Sequence, residues 1–421
     1  MLQSDTKEIS NVLELIDVPE EPIKFEGICI DSRKAASGKL FIALIGENFD
    51  GHDFVDQAYE NGATAALVSI NVTSKIPTIL VKDTKIALGL IASWHLNNIN
   101  PTVVGITGSN GKTTTKNLLS SILNVKAPTL ATKGNLNNHI GVPLTILALN
   151  KTHKYAVIEM GANHLKEIKY LRRMAKPSIA IVTNTSNAHI GEFGGIDNLI
   201  KAKGEIYSDY SINIVNINTK FKGEISFGDG GDIFASDIVG RSFVLNIYNE
   251  KVSVSLQLLG KHNIENSLAA SACAYALGVD LSTIKRGLES TTTEPGRLDL
   301  IQDNNITILD DTYNASPESI KAAIETLLEF EGNKVVVLGS MAELGDESKK
   351  FHEEIGRFAK KRIDSVYTYG DMATNYNADH FDSLTKLAEQ ILNKHANATV
   401  LIKGSRMVGL DYLVKLLKNN R

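Results

Sequence analysis

Gly105-Ile-Thr-Gly-Ser-Asn-Gly-Lys-Thr-Thr-Thr115 decides how the rest of this chain is read. An apolar run, Thr102-Val-Val-Gly-Ile106, enters it, and a polar, helix-compatible run over 113–124 leaves it. Strand, glycine-rich loop, Lys-Thr and helix is the layout of a phosphate-binding loop. Glycines let backbone N–H groups close on phosphate oxygens, and the following helix presents the positive end of its dipole to them. Lys112 then reaches the terminal phosphates, and the Thr113 hydroxyl a magnesium ion. The common pattern has a glycine six residues before the lysine. Here Ile106 stands there, and the glycines are Gly105, Gly108 and Gly111. The stretch is either a variant class of phosphate loop or a chance glycine-rich turn, and strand, loop and Lys-Thr in the right order favour the first.

Around it, residues 98–294 carry strand candidates at 103–106, 155–158, 179–182 and 212–217, with helical stretches between the first three. That alternation predicts a parallel, doubly wound sheet with ligands at the carboxyl ends of its strands. Glu159 ends one apolar strand and is a natural magnesium ligand beside a phosphate loop. Asn184 ends the next, and His189 follows it in a polar loop. A lone histidine there is ordinarily solvated, and it is also able to ligate a metal. Lys203 is one of two lysines in a helical stretch, which by itself describes a solvated helix face. The polar residues of Gly260-Lys-His-Asn-Ile-Glu-Asn-Ser read as helix caps first and ligand contacts second.

Residues 1–97 read as a small α/β unit with a strand over 23–30, a second at 40–45, a helix over 52–62 and short strands at 63–69 and 78–81. Its polar loops, Asp31-Ser-Arg and Gly46-Glu-Asn-Phe-Asp-Gly-His, sit at strand ends. Residues 295–421 alternate again, with strands at 307–309, 334–338, 365–369 and 399–402 and helices at 316–330, 348–361, 383–395 and 409–419. Ser316 before Pro317 marks a helix start. The fold class is therefore α/β in three domains, 1–97, 98–294 and 295–421, the last two each built on a nucleotide-fold-like sheet.

Composition bounds the function. The 44 basic residues nearly balance the 48 acidic ones, and a net charge of −4 removes the electrostatic case for a nucleic-acid partner. Cys29 and Cys273 lie far apart in apolar contexts and read as buried small hydrophobes in a reducing compartment. The N-terminus lacks the apolar core of a signal peptide, and no run is long enough to span a bilayer. A cytoplasmic protein, without membrane span, is expected.

Three segments in this order resemble the Mur ligases, the ATP-dependent amide-bond ligases of cell-wall precursor synthesis. Their phosphate loop has the short form Gly-x-x-Gly-Lys-Thr, which Gly108-Ser-Asn-Gly-Lys-Thr113 matches. Longer motifs narrow the resemblance: Thr132-Lys-Gly-Asn-Leu-Asn-Asn-His-Ile-Gly-Val-Pro, Asp310-Asp-Thr-Tyr-Asn-Ala-Ser-Pro-Glu-Ser, Val337-Leu-Gly-Ser-Met-Ala-Glu-Leu-Gly and Leu401-Ile-Lys-Gly-Ser-Arg-Met. They are similar to the branch of the family that adds D-alanyl-D-alanine to UDP-N-acetylmuramoyl-tripeptide.

The resemblance implies ATP and Mg2+ as cofactors, those two small molecules as partners, and a monomer. It makes Gly108, Ser109, Asn110, Gly111, Lys112, Thr113 and Thr114 the phosphate cradle. Lys112, Glu159, His189 and Lys203 become catalytic. Thr113, Glu159, His189 and a carbamylated Lys203 become the metal set. Asn184, Asn266, Asp311, Tyr313 and Asn314 match positions around the adenine and ribose, and Arg297 a phosphate-side arginine. Ser32, Gly46, Glu47, Asn48 and Phe49 match the loops holding uridine diphosphate. Thr132, Asn137 and Asn138 should face the muramoyl peptide, while Lys403, Ser405 and Arg406 should touch substrate from a C-terminal domain closing about a hinge near 290–297. Ser340 and Ser316 depart from the family pattern, where many relatives carry Asp and Asn. A sister ligase adding one amino acid, a folylpolyglutamate synthetase and a non-catalytic nucleotide switch are the competing readings. Against them stand the 132–143 motif, the uridine-binding unit, and the joint presence of Lys112, Thr113, Glu159 and His189.

Overall fold

The phosphate-loop strand Thr102–Thr107 lies inside a nine-stranded sheet. In a computed structural model describing residues 2–186, 190–303 and 306–419, it is flanked by Tyr155–Glu159 on one side and Ile179–Val182 on the other, both parallel to it. Pairing stays parallel from Thr129–Ala131 at one edge through Ile212–Asn216 and Ile225–Phe227 to Ile233–Val239. It turns antiparallel over Ser242–Ile247 and Glu250–Ser255. The edge strand Thr129–Ala131 and the four strands from 225 onward extend the sheet beyond the four predicted from sequence. Both faces of the central strands are covered, which is why they read as unbroken apolar runs. Val104 and Ile106 point into one core with Leu118, Leu119, Ile122 and Leu123 of the helix Lys112–Lys126. Val103 points into the other.

That other core is shared with the N-terminal unit. The helix Thr84–Ile99, capped by the Asp83 carboxylate on the Lys85 and Ile86 N–H groups, buries Ala87, Leu88, Ile91 and Ala92 in the same cluster as Val142, Ile146, Leu171 and Met174. The unit itself holds a five-stranded sheet in the order Leu15–Asp17, Thr78–Val81, Ala65–Val68, Leu40–Ile42, Ile28–Cys29, parallel except at Leu15–Asp17. The strand predicted over 23–30 is in fact two. Lys24–Glu26 pairs with Gln3–Asp5 in a separate ribbon, and Ile28–Cys29 joins the five-stranded sheet. Gly27 between them has φ +79°, a conformation that breaks a strand and suits glycine.

The C-terminal sheet has six strands in the order Asp299–Asp303, Ile306–Asp311, Ala398–Lys403, Lys334–Gly339, Ser365–Tyr369, Asp379–Phe381, with only the first antiparallel. Val336 and Leu338 face one core layer, Val335 and Val337 the other. Ser316 caps the helix Pro317–Leu328 in a reciprocal pair with Ser319. Both cysteines are free and buried. Among the described residues, no helix is long and apolar enough to cross a membrane.

Candidate active site

The loop 108–111 joins the strand Thr102–Thr107 to the helix Lys112–Lys126 in four residues. Gly108 has φ +148°, and a Cβ there would run into the Thr183 hydroxyl. Gly111 has φ +79°, and a Cβ would meet the Asn266 amide oxygen. Two of the three sequence glycines are thus required by backbone and by space.

The segment after Ile179–Val182 braces this loop. Asn110 N–H donates to Asn184 Oδ1 at 3.0 Å, and Asn184 Nδ2 returns a bond to the Asn110 carbonyl at 3.1 Å. Thr183 Oγ1 donates to the same carbonyl at 2.6 Å, and Ser109 Oγ to the Ser186 carbonyl at 2.9 Å. Lys112 Nζ curls over its own loop onto the Gly108 and Ser109 carbonyls, at 2.8 and 3.1 Å. Burial pulls its pKa below the usual lysine value, with the Glu159 charge opposing.

Glu159 is the hub. Its carboxylate is 2% exposed. Oε2 accepts from the Thr113 hydroxyl at 2.9 Å and Oε1 from Asn137 Nδ2 at 2.8 Å. Its own N–H donates to Thr132 Oγ1 at 3.0 Å. Arg297 Nη2 donates to Thr113 Oγ1 at 3.1 Å, and the same guanidinium lies 4.0 Å over the Tyr313 ring. Residues from four distant stretches therefore meet at one hydroxyl–carboxylate pair. Glu159 oxygens and the Thr113 hydroxyl are hard donors of the type magnesium takes. Both carboxylate oxygens are held by neutral groups, and the Glu159 charge acts on the nearby Lys112 and Lys116 ammoniums without a direct ion pair among the described contacts. The donor chemistry fits the metal. Among the described residues, no group of three or more His, Cys, Asp and Glu side chains gathers as a metal cluster, and His189 lies outside the described residues.

Lys203 is not on a solvated face. It is 1% exposed on the helix Ile196–Gly204, its Nζ 3.4 Å from the Ala162 carbonyl and 5.1 Å from the centre of the Phe193 ring. Burial, with the Lys112 charge adding to it, lowers its pKa to about 7.

Other predicted residues have structural partners of their own. Asn266 Oδ1 accepts from Thr115 at 3.5 Å, and its Nδ2 donates to Asn263 Oδ1 at 2.9 Å. These asparagines do not cap their helix, Lys261–Ala276. Its N-cap is Gly260, without a side-chain cap. Asn138 Oδ1 takes the N–H groups of Ile140 and Gly141 at the start of the helix Gly141–Leu147. Lys403, read as a substrate contact, is 3% exposed and internally paired, donating to Asp311 Oδ2 at 2.6 Å and the Asn314 carbonyl at 2.8 Å. Ser405 Oγ accepts the Ala342 N–H at 2.8 Å. Ser316 Oγ reaches Asn110 Oδ1 at 3.2 Å, joining the C-terminal domain to the phosphate loop. Ser32 Oγ donates to Gln57 at 2.6 Å, and Gly46 N–H closes a turn on the Phe49 carbonyl at 2.9 Å. Phe49 is left exposed at the N-terminal sheet.

Sequence reasoning passed over Lys116 and Glu294. Lys116 Nζ donates to the Thr132 carbonyl at 2.7 Å, and Glu294 accepts from Asn117 Nδ2 at 2.7 Å. Helical spacing offered a signal for the first, since Lys116 follows Lys112 by four residues and shares its face.

The chain matches three family models: one described as Mur ligase middle domain over 106–274, one as Mur ligase, glutamate ligase domain over 296–406, and one as Mur ligase family, catalytic domain over 24–95. The UDP-N-acetylmuramoyl-tripeptide–D-alanyl-D-alanine ligase of Haemophilus influenzae is 37% identical over 100% of this chain and 99% of its own. A crystal structure of MurF from Acinetobacter baumannii superposes with a TM-score of 0.95 at 37% identity, covering all of both chains. MurF from Thermotoga maritima in complex with ADP gives 0.86 at 31% identity, over 93% of this chain and 97% of that one.

Proposed function

The chain belongs to the Mur ligase family, and from that premise we propose that its phosphate-loop site drives amide-bond formation through an acyl phosphate. It joins D-alanyl-D-alanine to UDP-N-acetylmuramoyl-tripeptide with ATP, in peptidoglycan precursor synthesis. The observation that carries the reading is the meeting of Thr113 and Asn137 on Glu159, with Arg297 on the Thr113 hydroxyl, beside Lys112, in a chain similar to such ligases from end to end.

A carboxylate is a poor acyl donor because its leaving group would be oxide. Moving the ATP γ-phosphoryl onto the tripeptide's terminal carboxylate replaces that leaving group with phosphate and releases ADP. The free amine of D-alanyl-D-alanine attacks the acyl carbon, loses a proton, and phosphate departs from the tetrahedral intermediate. The backbone of 108–114 holds the phosphates, and Lys112, freed from its loop carbonyls, offsets charge on the group in flight. Arg297, already in reach of Thr113, adds a second cation. Thr113 and Glu159, with His189 and a carbamylated Lys203, would hold magnesium, which when bound neutralises phosphate charge. Water must be excluded, or the acyl phosphate hydrolyses. The Ser316–Asn110 and Arg297–Thr113 contacts give the C-terminal domain a way to close over the loop about residues 290–297.

Residues 1–97 anchor the uridine diphosphate through Ser32 and 46–49, 98–294 bind ATP, and 295–421 form the closing domain. The enzyme works as a cytoplasmic monomer. Phosphate release measured with each substrate omitted in turn tests the assignment. Release should require ATP, the UDP-tripeptide and D-alanyl-D-alanine together, and equal release with a single amino acid in place of the dipeptide would sink it.

A further inference from the structure

Lys116 sits one turn beyond Lys112 on the phosphate-loop helix and is 2% exposed. Two lysines four apart repel, and a buried ammonium costs several kcal/mol unless its surroundings compensate. If core packing were all this position required, an apolar residue would serve, as at Leu118, Leu119 and Ile122 on the same helix. What Lys116 does instead is local and specific. Its Nζ donates at 2.7 Å to the carbonyl of Thr132. Thr132 is where the edge strand Thr129–Ala131 ends and the turn leading to Asn137 begins. From that point the turn makes two contacts with the hub: Thr132 Oγ1 takes the Glu159 N–H, and Asn137 Nδ2 donates to Glu159 Oε1. The Asn137 carbonyl also accepts the Gly161 N–H at 2.8 Å, locking the turn to the far side of Glu159. Burial pulls the Lys116 pKa below the usual lysine value, with the charges of Glu159 and Glu294 opposing and Arg297 adding to it.

We propose that Lys116 is a positioning residue for the ligation: it clamps the 132–137 turn to the phosphate-loop helix, so that Thr132 fixes the Glu159 backbone and Asn137 holds its carboxylate beside Thr113. The inference rests on the ligase reading above. Lys116 touches neither Glu159 nor Thr113 in the hydrogen-bond network. It acts through a backbone carbonyl, which no substitution of Thr132 removes.

The test is Lys116→Met, which keeps the volume and deletes both charge and donor. Its unfolding midpoint should not fall below wild type, because a buried charge has been removed, and an ATP analogue should bind within about threefold, because the cradle is backbone. Its kcat should drop by about 30-fold or more. Asn137→Ala should lose a similar factor, and the double variant should be no slower than the worse single by more than about threefold, since both changes undo one clamp. Lys116→Gln, which keeps a donor for the Thr132 carbonyl without the charge, should regain about tenfold over Met and serves alone if the Met variant does not fold. Wild-type kcat in Lys116→Met, multiplied losses in the double variant, or a Gln variant as slow as Met would each overturn the clamp. Failure of the wild-type enzyme to need D-alanyl-D-alanine in the same assay would overturn the ligase reading instead.

Discussion

Removing Lys203 should raise stability at neutral pH while destroying turnover, and the effect should depend on pH and on carbon dioxide. Lys203 has a folded pKa of about 7, against 10.5 for the unperturbed side chain, because it is buried and Lys112 is near. The unfolded chain keeps the proton up to about pH 10.5, and the folded chain only below about 7. Between those values the unfolded state binds the extra proton, so stability climbs as pH rises through that window. Below pH 7 the whole deficit is present, on the order of 5 kcal/mol for the drop from 10.5 to about 7. Lys203→Met lacks this deficit. Urea unfolding in CO2-stripped buffer should find it several kcal/mol more stable than wild type at pH 6, with the gap closing by about pH 10.

The same depression prepares the side chain for carbamylation. At pH 7 about half of Lys203 is the neutral amine, against about one in three thousand for an ordinary lysine. Carbon dioxide adds to that amine, a proton leaves, and a cation repelled by Lys112 becomes an anion attracted to it. Enzyme labelled with 13C-bicarbonate should show a bound carbamate carbon that is absent from Lys203→Met. CO2-stripped wild type should lose about tenfold or more in turnover and recover it with bicarbonate. A gap between variant and wild type that stays flat from pH 6 to 10 refutes the burial argument. Turnover indifferent to bicarbonate, with no carbamate signal, refutes the carbamate.

Gly111→Ala, at φ +79° with Asn266 in the way of the new methyl, should abolish measurable binding of an ATP analogue by calorimetry; wild-type affinity would show that the loop is not the nucleotide cradle. Glu159→Gln puts an amide where the network expects two acceptors, and should cut the rate of ADP release by about a thousandfold with a cooperative unfolding transition retained. A loss under tenfold would remove Glu159 from the centre of the site. Lys403→Met leaves the Asp311 carboxylate without its buried partner and should cost about 3–5 kcal/mol in urea unfolding. Unchanged stability with a raised substrate KM would restore Lys403 as a substrate contact.

What could be read from the sequence follows from how each signal arises. Buried parallel strands announce themselves as apolar runs, so the cores of two large sheets and the placing of Glu159 at a strand end beside Lys112 were legible. The strands at 129–131, 225–227, 233–239, 242–247 and 250–255 were not: the first two are only three residues long, and 233–239 and 250–255 bury one residue each. Lysines were the least legible side chains. Lys203 and Lys116 lie on helices and Lys403 at a strand end, and in a sequence a lysine at any of these places defaults to solvent. In the fold all three are buried, with the first between the Ala162 carbonyl and the Phe193 ring, the second on a backbone carbonyl and the third in an ion pair. Burial is a tertiary property, and only the four-residue spacing from Lys112 to Lys116 carried a trace of it.

The isoleucine that departs from the common phosphate-loop pattern has a geometric reason. Ile106 is still strand, fully buried, and paired in register with Glu159 on one side and Ile181 on the other. A glycine at that place would belong to a longer loop that left the sheet sooner. Because the chain instead stays in the sheet through Thr107, strand pairing itself sets Glu159 level with the mouth of the loop. The four-residue turn then delivers Thr113 to that carboxylate at 2.9 Å. The cost is a loop with few contacts of its own, and the structure makes up for it from outside. Thr183 and Asn184 grip Asn110 from the next strand, Asn266 fills the space over Gly111, and Ser316 reaches across from the C-terminal domain. A short loop braced by its neighbours ties the phosphate cradle to the strand beside it, to the helix Lys261–Ala276 and, through Ser316, to the C-terminal sheet.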